Sequence, residues 1–219
     1  MRAEGYCCET VTREYGFWRT SNHSRCIIKK VKYVIGNWKS NQNISQSLIW
    51  LDGLSALHPK FSPEVTVILC LPFTDIVNYC IVGHSERRQE FSETSEIVAQ
   101  KARLLLESSI TPIICLDTPY LDEQIKALFT CDVDVSRCFF VYEPISAIGI
   151  GKPIDSVSAN HIANQIAFLT DNAAPILYGG SVSSDNAASF VRENCIDGVL
   201  VGTDSLEPTL FAGIITSLS

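Results

Sequence analysis

The chain has 219 residues, 46% of them hydrophobic and 19% charged, with 17 Lys and Arg against 24 Asp and Glu for a formal net charge of −7. Apolar content on that scale excludes a disordered chain. The acidic balance disfavours a nucleic-acid groove or a polybasic membrane surface, because both need clustered cations. The longest apolar runs, such as 65–72 and 199–202, fall far short of the ~20 residues that span a bilayer.

Taken in chain order, residues 1–30 show neither a helical nor a strand period and read as an irregular extension ahead of a domain over 31–219. The opening MRAEGYCCET has no apolar segment of the secretory kind, so cytoplasmic placement is the expectation. Nine cysteines, at 7, 8, 26, 70, 80, 115, 131, 138 and 195, include no CxxC pair and no ligand-like spacing with His. They read as free thiols in a reducing compartment rather than as a disulfide framework or metal site. From residue 33 onward, short apolar runs alternate with amphipathic stretches, the pattern of βα units in a parallel sheet. The predicted strands are 33–36, 65–69, 79–83, 111–115, 138–142, 175–178 and 198–201. The predicted helices are 44–57, 93–108, 121–129, 156–169 and 184–192, the last with N-cap chemistry in Ser184, Asp185 and Asn186.

The chemistry sits where the strands end. Asn37-Trp38-Lys39 follows the first strand, His84-Ser85-Glu86 the third and Glu143-Pro144 the fifth. Gly179-Gly180-Ser181 follows the sixth strand and Gly202-Thr203 the seventh. In a parallel barrel all of these converge on one face, where the active site forms. Glycine-containing turns that open a helix present backbone N–H groups to an anion, typically phosphate. A carboxylate, an imidazole, a fixed ammonium and a phosphate cradle suit proton abstraction beside a carbonyl on a small phosphorylated substrate.

Those residues lie on stretches that resemble the triosephosphate isomerase family: GNWKSN (36–41), GHSERR (83–88), YEPISAIGIGKP (142–153), YGGSV (178–182) and DGVLVG (197–202). The resemblance covers roughly residues 31–219 and implies an α/β fold, the (β/α)8 barrel. It implies an isomerase of glycolysis and gluconeogenesis that interconverts dihydroxyacetone phosphate and glyceraldehyde 3-phosphate through an enediolate. By the same resemblance Glu143 is the base and His84 the electrophile, with Glu86 as the neighbouring helix-start carboxylate. Lys39 with Asn37 resembles the substrate-binding pair, 147–152 the mobile phosphate-gripping loop with Gly149 as amide donor, and Ser181 and Gly202 the remaining phosphate positions. No metal and no cofactor are implied, and the partners are a small phosphorylated sugar and a second copy in a homodimer. Three departures stand out: Ser146 replaces the usual hinge Trp, Thr203 a usual Gly beside Gly202, and Ser40 a common Met.

The gravest departure is a gap. Predicted strands start about 30 residues apart on average, but the second and third are separated by only about 14. A parallel crossover needs about a dozen residues or more, usually a helix, and 74–78 alone remain to make it. One strand and its two flanking helices therefore read as absent, between the second and fourth strands of the family, together with a loop that in the family reaches the partner subunit. A missing exon-like block, a shortened paralogue that repacks or oligomerises around the gap, or a different placement of the strands would each produce this pattern. The gap, with Ser146 and Thr203, leaves two other readings open: an isomerase of a four-carbon ketose phosphate, and a non-catalytic barrel remnant.

Overall fold

The computed structural model describes residues 31–39, 41–57, 62, 64–70, 78–148 and 151–219. The expected extension over 1–30, Ser40 in the first loop and Gly149 in the predicted phosphate loop lie outside the described residues. Seven strands are formed: β1 (Lys32–Asn37), β2 (Val65–Cys70), β3 (Tyr79–Val82), β4 (Thr111–Leu116), β5 (Phe139–Tyr142), β6 (Ile176–Tyr178) and β7 (Gly198–Val201). All the pairings are parallel and the order is β2-β1-β7-β6-β5-β4-β3.

That order is a (β/α)8 barrel short of one strand. Alternation along the strands separates two cores, as the period of two demands. Ile35, Ile68, Ile113, Cys115, Phe139, Val141, Leu177 and Leu200 form a cluster made of strand residues alone, the filling of the barrel. Val34, Ile114, Phe140, Tyr142, Ile176, Tyr178, Val199 and Val201 point the other way and join the larger cluster shared with the helices. Between β2 and β3, the two ends of the sheet, no ladder forms among the described residues. The ring is nearly closed, with a seam where the sequence places the gap.

Around the sheet run α1 (Ile44–Ala56), α2 (Ser85–Phe91), α3 (Ser95–Glu107), α4 (Leu121–Thr130), α5 (Ser156–Leu169), α6 (Ala187–Val191) and α7 (Pro208–Ser217). Their starts follow local chemistry. Asn43 and Gln46 close a reciprocal capping box on α1, and the Thr94 hydroxyl accepts the Ile97 N–H on α3. Asp155 accepts the Ser158 N–H on α5, one residue ahead of the predicted start. In α3, Val98, Ala99, Ala102 and Leu106 form the buried stripe that spacing by three and four residues predicts.

Two helices differ from the sequence expectation. α2 is a separate short helix in the stretch after His84, and α7, with Pro at its first turn, follows the last strand where none was predicted. The N-cap expected from Ser184 to Asn186 is not made: α6 begins only at Ala187 and the Asn186 side chain makes no capping bond. Trp38 ties the closing elements together. It is fully buried, donates its ring N–H to the Ser205 carbonyl at 2.8 Å and packs edge-on against Trp50 of α1, which in turn meets Phe211 of α7. One buried side chain thus joins the first strand end to the last turn of the barrel.

Candidate active site

The strand ends converge as the parallel order requires. Asn37, Lys39, His84, Glu86, Glu143, Ser181, Gly202 and Thr203 all line one cleft of about 560 Å³. Every candidate site residue in the described chain is therefore brought to this one place.

Lys39 follows β1 with a left-handed backbone, φ 51°, which costs a non-glycine residue energy. Its N–H donates to the Asn37 side-chain oxygen at 3.1 Å, and Asn37 is itself buried, so the strained turn is held from inside. The ammonium group pairs with the Glu86 carboxylate. Burial alone would raise the Glu86 carboxyl, but the Lys39 hydrogen bond and charge outweigh it and hold it below its ordinary value.

His84 is buried and stands at the N-terminus of α2. Its Nδ1 accepts the backbone N–H of Glu86 at 3.3 Å. That bond needs a lone pair on Nδ1 and leaves the ring proton on Nε2, the nitrogen that faces the cleft. Nε2 is 3.6 Å from Glu143 Oε1, too long for a hydrogen bond and close enough for both to meet one small ligand.

Glu143 directly follows β5. Its backbone N–H donates to the Leu116 carbonyl at 2.9 Å, which continues the β4 ladder one residue past the strand. The side chain is buried and Oε2 has no hydrogen-bond partner. Burial pushes the carboxyl above its ordinary value, against the opposing pull of nearby His84, Cys115 and Lys39. An orphaned, desolvated carboxylate costs stability, and its place in a cleft beside an imidazole makes it a functional-site candidate.

Two further turns line the cleft. Ser181 has φ 52° and its hydroxyl donates to the Ala147 carbonyl, tying the β6 turn to the base of the 147–152 loop. Asn186 clamps the same turn, donating to the Ser181 carbonyl and accepting the Ser183 N–H, each at 3.0 Å. This is the work its side chain does in place of capping α6. Opposite, Gly202 faces open space, where an added Cβ would meet nothing within 4 Å, and Thr203 opens a 3-10 turn over Thr203–Leu206.

Known proteins are similar to this chain in sequence. A model of the triosephosphate isomerase family matches residues 75–218. The triosephosphate isomerase of Picosynechococcus sp. (strain ATCC 27264 / PCC 7002 / PR-6) is 33% identical over 236 residues, covering 83% of this chain and 97% of that one. The chain belongs to the triosephosphate isomerase family. Other members of that family are similar over different spans. The triosephosphate isomerase of Mycoplasmopsis pulmonis (strain UAB CTIP) is 40% identical over 149 residues, 63% of this chain and 60% of that one. The one from Alkaliphilus metalliredigens (strain QYMF) is 30% identical over 243 positions, covering 83% of this chain and 97% of that one. That alignment is longer than this chain's 219 residues although it takes in only part of them. The surplus is triosephosphate isomerase sequence with no counterpart here, in keeping with a barrel short of one strand.

Sequence reasoning missed several residues of the site. Gln89, Ser183, Asn186 and Asp204 line the cleft, and the Cys115 thiol approaches the Glu143 carboxyl from inside the barrel. Cys115 carried one usable signal, its inward parity on a strand whose neighbour ends at Glu143. Among the described residues no cluster of three or more His, Cys, Asp or Glu is arranged to hold a metal ion. No described helix is long and apolar enough to cross a membrane.

Proposed function

We propose that this chain interconverts dihydroxyacetone phosphate and glyceraldehyde 3-phosphate, with Glu143 as the base. The observation that carries the reading is the Glu143 carboxylate: buried, without a partner on Oε2, and 3.6 Å from His84 Nε2. In this reading Glu143 removes a proton from C1 of dihydroxyacetone phosphate while the Nε2–H of His84 donates to the C2 carbonyl oxygen. The electron pair of the broken C–H bond becomes the C1–C2 double bond of an enediolate. Return of the proton to C2, with the hydroxyl proton passed from O1 to O2 by His84, gives the aldehyde. The roles of Glu143 and a neutral imidazole follow the handling of carboxylate and imidazole known for this enzyme type.

Lys39 supplies positive charge beside the developing oxyanion, where a partly dehydrated site magnifies it. Asn37 holds Lys39 in place, Glu86 orients the ammonium, and the Ser181 and Gly202–Thr203 turns take the phosphate together with the Gly149 amide. Closure of 147–152 keeps water from the enediolate. A homodimer in the cytoplasm belongs to the same proposal, on family grounds.

The test is a coupled assay on the purified chain in both directions, with solvent deuterium exchange into the triose carbons followed by NMR. Turnover and exchange are expected, with Glu143→Gln and His84→Ala each losing at least ~10²-fold. Absence of both turnover and exchange would instead support the non-catalytic remnant. Faster turnover of a four-carbon ketose phosphate would support the other alternative, although the Thr203 side chain takes up room in the cleft where the family usually has Gly.

A further inference from the structure

Glu143 is held by the end of a neighbouring strand, and that strand end is held by something else. The backbone N–H of Glu143 donates to the Leu116 carbonyl at 2.9 Å, and the buried Cys115 thiol lies close enough to influence its carboxyl. The base is therefore seated on Cys115, Leu116 and Asp117. This is also where β4 runs out of ladder. Its last pairing with β3 is Ile114, opposite Val82, so on that side the Cys115 carbonyl and the Asp117 N–H have passed beyond any strand partner. Both are in the interior, where an unpaired backbone group is costly.

We propose that Gln124 is a positioning residue for Glu143, acting through this strand end. Gln124 projects from α4 and is buried, 3% exposed. Its Nε2 donates to the Cys115 carbonyl at 3.2 Å and its Oε1 accepts the Asp117 N–H at 3.3 Å. One planar amide thus grips the residues on both sides of Leu116 and fixes the carbonyl between them. The same grip fixes the backbone from which the Cys115 side chain reaches Glu143. Gln suits this place because its amide both donates and accepts. An aliphatic side chain would leave both backbone groups unsatisfied, and Asp or Asn in α4 would be one methylene too short. Asp117 also accepts the Thr118 N–H at 2.8 Å, which extends the ordered turn away from the site.

The inference deepens the reading of Glu143 as base, and its test keeps the two apart. Gln124→Leu removes the grip at nearly constant volume, and Gln124→Glu keeps the acceptor for Asp117 while losing, once ionised, the donor to Cys115. Two readouts are taken on the full chain. The first is kcat and KM for dihydroxyacetone phosphate. The second is the titration of the Glu143 carboxyl by 13C NMR in glutamate-labelled protein, its resonance assigned by its loss in Glu143→Gln. The groups facing that carboxyl, His84, Cys115, Lys39 and Glu86, are the same in every variant.

For Gln124→Leu, kcat falls about 10- to 100-fold with KM within about two-fold, the size expected when a catalytic group is displaced by a fraction of an ångström to one ångström. The Glu143 titration moves as well. Gln124→Glu shows the same changes in smaller measure and carries the test if Gln124→Leu does not fold. A wild-type kcat and an unmoved Glu143 titration in the folded variants, with only thermal stability reduced, would overturn the proposal and leave Gln124 a purely structural residue. If the wild type shows no turnover, the reading of Glu143 as base fails, and the NMR titration still decides whether Gln124 positions it.

Discussion

Gly179 lies so close to Glu143 that a Cβ built on it would stand 2.8 Å from Glu143 Cγ and 3.2 Å from Oε1. Real carbon atoms do not approach that closely, so the turn after β6 is glycine to leave room for a carboxylate on the neighbouring strand end. Val141 Cγ1, at 2.9 Å from the same built atom, blocks the other direction of escape. Gly179→Ala is expected to displace the Glu143 side chain and lower kcat by at least ~10-fold with a smaller change in KM. Steady-state kinetics on the variant check this, and an unchanged kcat would show that the carboxylate has slack.

The Glu143 carboxyl is raised from an ordinary value of 4.5, first of all by burial. The catalytic consequence is an acid limb: kcat/KM falls as the pH drops through the raised value, because only the carboxylate accepts a proton. The stability consequence has the opposite sense. Between 4.5 and the raised value the folded chain binds a proton that the unfolded chain has released, so stability falls as pH rises through that window. Glu143→Gln, which cannot ionise, is therefore expected to melt higher than wild type at neutral pH while losing activity. The gap should narrow as pH is lowered towards 4.5. Thermal melts from pH 4.5 to 7.5 test both signs, and a Gln variant that melts lower throughout would contradict the desolvation cost.

Asp204 lines the cleft in the turn that begins at Thr203, beside Gly202. A phosphate dianion seated on that turn meets a like charge, screened by solvent. Asp204→Asn is expected to lower KM for a phosphorylated triose about two- to five-fold at low ionic strength, with kcat unchanged and the gain shrinking in salt. Kinetics at two salt concentrations check it. A KM that does not move would place the phosphate away from this turn.

The seam between β2 and β3 bears on stability rather than chemistry. Strands inside the sheet have both edges paired, whereas β2 and β3 each lack one ladder among the described residues. Backbone groups on an unpaired edge open more readily. Peptides covering Val65–Cys70 and Tyr79–Val82 are expected to exchange amide hydrogens for deuterium about tenfold or more faster than Gly198–Val201, measured by mass spectrometry. Equal protection across the three segments would mean that the seam is covered in solution.

What the sequence by itself determined was local. Apolar runs of strand length, turn residues after them and capping residues before helices place all seven strands within about two residues of where they form, because each signal lies within a few positions of its effect. The shortfall between β2 and β3 was legible for the same reason, as a connection too short for a parallel crossover. α7 was not legible: most of its residues are apolar or small, so it lacks the polar face that marks a surface helix, and only burial of Phe211, Ala212, Ile214 and Ile215 against the rest of the barrel explains it. Tertiary structure alone decided the environment of Glu143. Its room comes from Gly179, part of its surroundings from Cys115, its seat from Leu116 and the grip on that seat from Gln124. These residues lie far from Glu143 or from one another in the chain, and a desolvated carboxylate is a property of what surrounds it. The residue type at 143 was readable in the sequence; its chemistry belongs to the fold.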